Sequence, residues 1–224
     1  MDSPPETSAP RRARNDAAKL ARRRHLLDTA ERLFVEGGGE LPSAGAIAQA
    51  AGLAKGTAYL YFASLEDMFL TLLSEHFVRW MRQLRDLADA APAPLTPEAL
   101  AAAQARYPVE HPVLMRLAAI SHAQLERRGA EAAVRSFKAA LAGELAELGA
   151  FLEQRLPGLP PGAGAPAAVA SYAVVMGLWQ VAEPPPAAAE ALADPAFAMM
   201  RLDFATELPR MLAAHWRDRV GAGL

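Results

Sequence analysis

The stretch SAGAIAQAAGLAKGTAYLYF, residues 43–62, decides the fold of this chain. Ala48 is small enough for a second helix to pack closely against the helix that carries it. Four residues later, Gly52 supplies a residue that takes a left-handed backbone conformation at no steric cost. Apolar residues stand at the positions that two crossed helices bury around such a turn, namely Ile47, Ala51, Leu53, Ala58 and Tyr61. The spacing predicts a helix-turn-helix.

The second helix of this unit, which we expect to begin near Ala54, exposes polar groups at its N-terminus. In a helix-turn-helix protein this end enters the major groove of DNA. The hydroxyls of Thr57 and Tyr59 can bond to phosphates, and Lys55 can bond to a phosphate or a guanine edge. Gly56 has no side chain, so the backbone can approach the duplex. The alternative is an ordinary helical hairpin whose polar groups face water.

A basic segment precedes the motif. Between residues 11 and 25 there are seven Arg or Lys side chains, opposed only by Asp16, although the net charge of the whole chain is −2. A local basic arm on a near-neutral protein can follow a phosphate backbone. A solvated tail of the same composition is the alternative. Residues 1–15 are rich in Pro, Ser and charge, and we expect them to form a disordered basic arm.

Three segments carry a family resemblance: AERLF (residues 30–34), IAQAAGLAKGTAYLYF (47–62) and ASLEDMF (63–69). They resemble the DNA-binding domain of the tetracycline-repressor (TetR) family over about residues 22–73. The resemblance implies a transcriptional regulator, usually a repressor, with three N-terminal helices for DNA and about six more for ligand binding and dimerisation. Together with the exposed second helix and the basic segment, it predicts DNA contacts at Ser43, Ala54, Lys55, Gly56, Thr57, Tyr59, Leu60, Tyr61, Arg22 and Arg23.

Three residues depart from the family pattern. Leu65 stands where the family usually has a lysine that contacts a phosphate. We therefore expect weaker DNA binding, or a larger contribution to binding from the basic arm. Gly45 stands where a polar or arginine side chain often reads DNA. Gly39 replaces a common aromatic residue, so we expect a looser turn after the first helix. Leu65 also supports a second hypothesis, a helical dimer that binds a small molecule or a protein partner and has lost specific DNA binding.

The remaining segments also show helical periodicity, which predicts an all-α fold of about nine helices. We expect a DNA-binding domain over residues 16–63 and a ligand-binding and dimerisation domain over residues 64–224. A long helix begins at Ser64, whose hydroxyl can cap it, and Glu66 and Asp67 favour the positive end of its dipole. Further helices are predicted at about 96–106, 112–128, 134–152, 166–182 and 195–218.

The last two predicted helices are more apolar than a monomer surface tolerates. We predict that they form an isologous four-helix interface in a symmetric homodimer. The expected interface residues are Ala170, Ala173, Met176, Gly177, Phe197, Phe204, Leu208 and Met211. Such a dimer would bind a pseudo-palindromic operator in double-stranded DNA, with recognition helices about 34–36 Å apart. The alternative is that both helices belong to the core of a monomer.

The resemblance also implies a ligand pocket between the helices of residues 64–155. The candidate pocket residues are Trp80, Met81, Tyr107, Met115, His122 and Phe137, each of which can equally be plain core. Few charges lie on these helix faces. The sequence therefore favours an apolar small-molecule effector over a highly charged one.

Several classes of protein do not fit the sequence. The chain has no cysteine, which excludes disulfides and thiolate chemistry and fits the cytoplasm. Its five histidines lack metal-site spacing, and there is no G-x-S-x-G elbow or phosphate-binding glycine loop. Residues 166–182 fall short of the roughly 20 apolar residues that a membrane span needs. We therefore expect neither an enzyme nor a metal, cofactor or membrane protein.

Overall fold

The computed structural model describes residues 9–54 and 56–221, and the predicted all-α class is confirmed over these residues. The helices, in chain order, are α1 (Ala9–Glu36), α2 (Ala44–Ala50), α3 (Leu65–Asp89), α4 (Pro97–Glu110), α5 (Pro112–Ile120), α6 (Glu131–Arg155), α7 (Gly164–Ala182), α8 (Pro186–Leu192) and α9 (Phe204–Gly221). Shorter turns of 3-10 helix lie at Thr57–Leu60 and Pro195–Met200, and a π-helix lies at Ser121–Glu126.

Helix α1 packs one apolar face against the start of α3. Leu26, Leu27 and Phe34 are buried on this face, and the ring of Phe34 lies 5.6 Å from that of Phe69. The helix begins at Ala9, so the disorder predicted for residues 1–15 is wrong for residues 9–15, while residues 1–8 lie outside the described residues. The buried face of α1 thus belongs to the same continuous hydrophobic core as the buried residues of α3.

The turn predicted at Gly52 forms as its sequence requires. The hydroxyl of Ser43 caps α2 by accepting from the amide of Ala46 at 3.1 Å. Gly52 has a φ of 68°, the left-handed conformation that favours glycine. The amide of Leu53 then donates to the carbonyl of Ala48 at 2.8 Å, and Ala48 is fully buried. These bonds turn the chain from α2 toward the segment after it.

Helix α3 joins the two predicted domains. The hydroxyl of Ser64 caps it, accepting from the amide of Asp67 at 3.1 Å. Its first turns bury Phe69 beside α1, and its later turns bury Trp80, Met81 and Leu84 against the C-terminal helices. Helix α3 therefore contributes side chains to the packing beside α1 at one end and beside the C-terminal helices at the other.

The C-terminal helices pack as a bundle in which α4 lies along α9, and α6 lies between α3 and α7. Helix α7 is apolar and long enough by composition to cross a membrane, a test that the core helix of a soluble protein also passes. Its Ser171, Val175, Leu178 and Trp179 are buried in the bundle. The packing of this side agrees with a core helix.

Two predicted helices need new boundaries, and one helix was not predicted. The α-helix expected over 112–128 ends at Ile120 and continues as a π-helix to Glu126. The helix expected over 195–218 is a 3-10 turn at 195–200 followed by α9 from Phe204, because the carboxylate of Asp203 accepts from the amide of Thr206 at 2.8 Å and starts a new helix. The short helix α8 was not predicted.

Candidate nucleic-acid interface and ligand cavity

The segment after the Gly52 turn projects two large side chains into solvent. Tyr59 is 58% exposed and Leu60 is 75% exposed. Ala54, Gly56 and the capping residue Ser43 are also exposed. The segment therefore presents an aromatic ring and a leucine side by side to solvent.

This segment is shorter than predicted. Instead of an α-helix from Ala54, it forms one 3-10 turn over Thr57–Leu60, and Lys55 lies outside the described residues. Thr57 and Tyr61 are half-buried, so their backbones lie nearer the core than those of Tyr59 and Leu60. The turn is held in place from inside the domain, since Ala58 and Phe62 are buried.

Two of the basic residues predicted to meet DNA have different surroundings. Arg22 is exposed. The guanidinium of Arg23 lies 4.7 Å from the centre of the Phe62 ring and its Nη2 lies 3.5 Å from the hydroxyl of Thr71. Arg23 therefore anchors the end of the exposed segment to α1 and α3. Sequence reasoning missed this packing role, although Phe62 belongs to the quoted motif.

The turn after α1 is specified by glycine and by a contact from the C-terminal domain. Gly39 has a φ of 101°, so the residue that replaces the family's aromatic supplies a backbone conformation that L side chains rarely adopt. A side chain here would meet the stem of Arg116 on α5 at 3.5 Å. The predicted looseness of this turn is therefore offset by packing against α5.

A cavity of about 340 Å³ lies within the C-terminal bundle, among α3, α4, α6, α7 and α9. Four aromatic side chains form much of its wall, namely Phe77, Trp80, Tyr172 and Trp216. Leucine and alanine side chains of α6 complete it. The volume falls within the range of small-molecule sites, and the lining is mostly apolar, as such sites usually are.

Half of the predicted pocket residues line this cavity. Trp80, Met81 and His122 do so. Tyr107, Met115 and Phe137 are buried but do not line it, so their prediction as cavity residues is wrong for this cavity. Five of the six predicted residues are buried and His122 is exposed, but helical periodicity carries no information on which buried face borders a void.

Gln104 of α4 is the polar residue at the centre of the bundle. Its side chain, 4% exposed, donates to the hydroxyl of Ser171 at 2.7 Å and accepts from the indole of Trp216 at 2.8 Å. Its backbone carbonyl accepts from the indole of Trp80 at 2.8 Å. These bonds fix both tryptophan rings of the cavity wall, because a buried polar group left unpaired is costly.

The polar rim of the cavity is close to electrically balanced. Lys138 pairs with Glu126 at 2.9 Å, and His122 lies 3.3 Å from the same carboxylate. Burial, reinforced by Glu126, raises the pKa of the Tyr172 hydroxyl to about 12, so this group stays protonated at neutral pH. Among the residues that the structure describes, no group of three His, Asp or Glu side chains is arranged to hold a metal.

The residues predicted for a dimer interface divide into two groups. Ala173, Gly177, Phe197 and Met211 are exposed, and Ala170 and Met176 are half-buried. Phe204 and Leu208 are wrong as interface residues, because they are 7% and 0% exposed within a single chain. The exposed apolar side of α7 also carries Val169 and Val181, each 51% exposed, which the sequence analysis did not single out.

Two family models match consecutive parts of the chain. Residues 26–72 match bacterial regulatory proteins of the tetR family, and residues 74–217 match the tetracyclin repressor-like C-terminal domain. The boundary between the two matches falls within α3, which packs against α1 at its start and against the C-terminal helices further along. No curated protein matches the chain in sequence.

Solved structures show the same fold at low sequence identity. The fatty acid degradation regulator FadR from Bacillus halodurans is 18% identical, with a TM-score of 0.56 over 87% of this chain and 93% of its own. FadR from Bacillus subtilis in complex with stearoyl-CoA is 17% identical, with a TM-score of 0.55 over 89% and 98%. A TetR-family transcriptional regulator from Mesorhizobium loti is 18% identical, with a TM-score of 0.55 over 91% and 97%.

Proposed function

Because the chain belongs to the tetR family of bacterial regulatory proteins, whose members are ligand-responsive DNA-binding transcriptional regulators, we propose that it represses transcription as a homodimer on a pseudo-palindromic operator. The observation that carries this proposal is the exposure of Tyr59 and Leu60 directly after the Gly52 turn. In a helix-turn-helix this surface enters the major groove. Ser43, Ala54, Gly56 and the Tyr59 hydroxyl border the same surface, and Lys55 follows Ala54 in the chain.

One such segment reads too few base pairs for specificity. A two-fold dimer places two of them in successive major grooves, about 34–36 Å apart. The exposed apolar side of α7 supports such a dimer, since Val169, Ala173, Gly177 and Val181 recur along it at helical spacing. Small residues at its centre permit close approach of a second copy of the same helix. We place the dimer contact on this side of α7, with Met211 of α9 beside it.

Sedimentation of the protein alone and with DNA tests this proposal. A duplex selected by the wild-type protein from a random-sequence library serves as the ligand. We expect a mass of two chains without DNA at micromolar concentration, and a log–log plot of affinity against salt with a steep negative slope. A dimer with no salt-dependent DNA binding would instead support the second hypothesis, a ligand-binding module without specific DNA binding. A mass of one chain at this concentration would contradict the proposed homodimer.

We propose the cavity of the C-terminal bundle as the effector site. Its volume of about 340 Å³ lies within the range of sites that bind small molecules. The rim charges are already paired, so an ionised ligand would lose its hydration without gaining an unpaired opposite charge. These features support a small, apolar, uncharged effector. The Bacillus subtilis FadR structure holds stearoyl-CoA, which is larger and more highly charged than this cavity favours.

The uncharged fluorophore N-phenyl-1-naphthylamine tests the cavity. We expect the wild-type protein to bind it with enhanced fluorescence, because its two aromatic groups suit an aromatic wall. Ala142, an exposed residue at the cavity edge, is the site for blocking it. Ala142→Trp should weaken binding at least tenfold, and the control Ala146→Trp, one turn along α6 and away from the cavity, should not. Equal binding by both variants would place the fluorophore elsewhere.

The same features argue for a cytoplasmic protein without catalytic function. A DNA-binding regulator works where the chromosome lies, and the absence of cysteine agrees with a reducing compartment. The buried side of α7 gives that helix a place in the bundle, which is why we propose no membrane partner.

A further inference from the structure

The buried polar side chains of the described residues differ in their partners: some bond within their own helical segment and others bond to another helix. Five are buried, and two of these, Thr29 and Ser121, bond only to carbonyls of their own helical segments. The other three, His76, Gln104 and Ser171, connect different helices. Buried polar groups that join elements carry more structural information than those satisfied locally, because their loss disturbs two elements at once.

His76 lies where α3 passes between α1 and α4. It is 2% exposed, and its Nδ1 lies 2.9 Å from the hydroxyl oxygen of Tyr107 on α4, at hydrogen-bond distance. Its Nε2 lies 3.3 Å from Oε1 of Glu31 on α1. The second contact is longer and lacks hydrogen-bond alignment. One imidazole thus touches a DNA-domain helix and a helix of the ligand domain.

The two partners of His76 are themselves perturbed by this environment. Contact with His76 holds the pKa of Glu31 below its usual value, with Arg79 and Arg24 contributing charge. Glu31 is therefore ionised at neutral pH. Burial raises the pKa of Tyr107, whose ring also lies 4.2 Å from that of His111. The chain of groups runs from an ionised carboxylate on α1 to a protonated phenol on α4.

Helix α4 extends this chain to the cavity. Gln104, which lines the cavity and bonds to Ser171 and Trp216, stands three residues before Tyr107 on the same helix. Residues three apart lie on neighbouring positions of one helix face. A movement of α4 that follows filling of the cavity would therefore displace the Tyr107 hydroxyl from His76.

We propose that Glu31, His76 and Tyr107 form a polar relay that couples the ligand cavity to the orientation of α1, and so to DNA affinity. This proposal rests on the proposed function and names the residues that regulate it. The weak point of the relay is the 3.3 Å contact between His76 and Glu31. A small shift of the imidazole breaks this contact and removes one of the polar contacts between α1 and α3, which also meet through Arg24 and Glu75. Glu31 and Tyr107 act as positioning residues, since neither lines the cavity nor the DNA-facing segment.

A double-mutant cycle tests the relay, because Glu31 and Tyr107 lie at different ring nitrogens of the same imidazole, that of His76. The variants are Glu31→Gln, Tyr107→Phe and the double variant, each compared with wild type in affinity for the selected duplex. If the relay exists, the two effects will be non-additive by about fivefold. The control cycle pairs Glu31→Gln with Ser121→Ala, a buried polar residue outside the relay, and should be additive. If the effects of Glu31→Gln and Tyr107→Phe are additive, like those of the control pair, the proposal is overturned.

The same cycle is measured on affinity for N-phenyl-1-naphthylamine, which needs no DNA. Glu31 lies in the DNA-binding domain, so a merely structural role predicts no change in cavity affinity on Glu31→Gln. Reciprocal coupling predicts a change of about fivefold, which Tyr107→Phe abolishes. If the wild type binds no duplex, the repressor proposal fails, but the cycle measured on affinity for N-phenyl-1-naphthylamine still tests the relay. If wild type binds both ligands and neither cycle shows coupling, the relay alone fails.

Discussion

Replacing Trp216 by alanine is expected to lower the free energy of unfolding by about 3–5 kcal/mol, the range for removing a fully buried aromatic side chain. Trp216 is 0% exposed and lies where α9 meets α4. Its indole donates to Oε1 of Gln104 at 2.8 Å, and its ring lies 5.0 Å from that of His215. Removal leaves a void beside an existing cavity and a buried acceptor without its donor.

Two further variants separate these contributions. Trp216→Phe keeps most of the ring but removes the N–H, so we expect a loss of about 1–3 kcal/mol from the unpaired Gln104 oxygen. Asp218→Ala, at an exposed position of the same helix, should change stability by about 0.5 kcal/mol or less. Urea unfolding followed by far-ultraviolet circular dichroism measures all three. Equal losses for Trp216→Ala and Asp218→Ala would contradict the described packing of α9.

The case of Trp216 shows where sequence reasoning fails. The sequence analysis predicted a helix over 195–218 without singling out Trp216, whereas the structure buries Trp216 fully and His215 partly. Along α9, which begins at Phe204 after the cap supplied by Asp203, every fourth residue is buried, and this series ends at Trp216. Asp203 followed by Glu207 in the first turn was a readable signal for this start.

The helix-turn-helix was predictable because its geometry depends on local requirements. A small residue at Ala48 and a left-handed residue at Gly52 are dictated by steric contacts within a few residues. The length of the following segment was not predictable, since burial of Ala58 and Phe62 in the domain core limits it to a 3-10 turn. Tertiary packing here overrides the local preference for helix.

The cavity and the relay lay beyond the sequence for a different reason. Periodicity assigns His76 and Tyr107 to buried faces, but it does not say that their side chains meet across two helices at 2.9 Å. Nor does it say that Phe137 packs against Phe77 instead of bordering the void. Both features depend on helix rotation and crossing, which long-range contacts determine.

Leu60→Glu is expected to reduce affinity for the selected duplex by at least thirtyfold, with little change in stability. Leu60 is 75% exposed, so a carboxylate there remains hydrated and the domain still folds. In the complex, the same carboxylate would lie against DNA phosphates, and juxtaposed like charges cost several kcal/mol. Fluorescence anisotropy with a labelled duplex at several salt concentrations measures the change, which should shrink as salt rises because screening weakens the repulsion.

The control for this variant is Val109→Glu, which adds the same charge at an exposed position of α4, in the C-terminal domain. If the overall charge of the protein governed DNA binding, both variants would lose affinity equally. If the segment after Gly52 meets the duplex, only Leu60→Glu loses it. Wild-type affinity in Leu60→Glu would mean that DNA approaches another surface, and the exposure of Tyr59 and Leu60 would then need a protein partner to account for it.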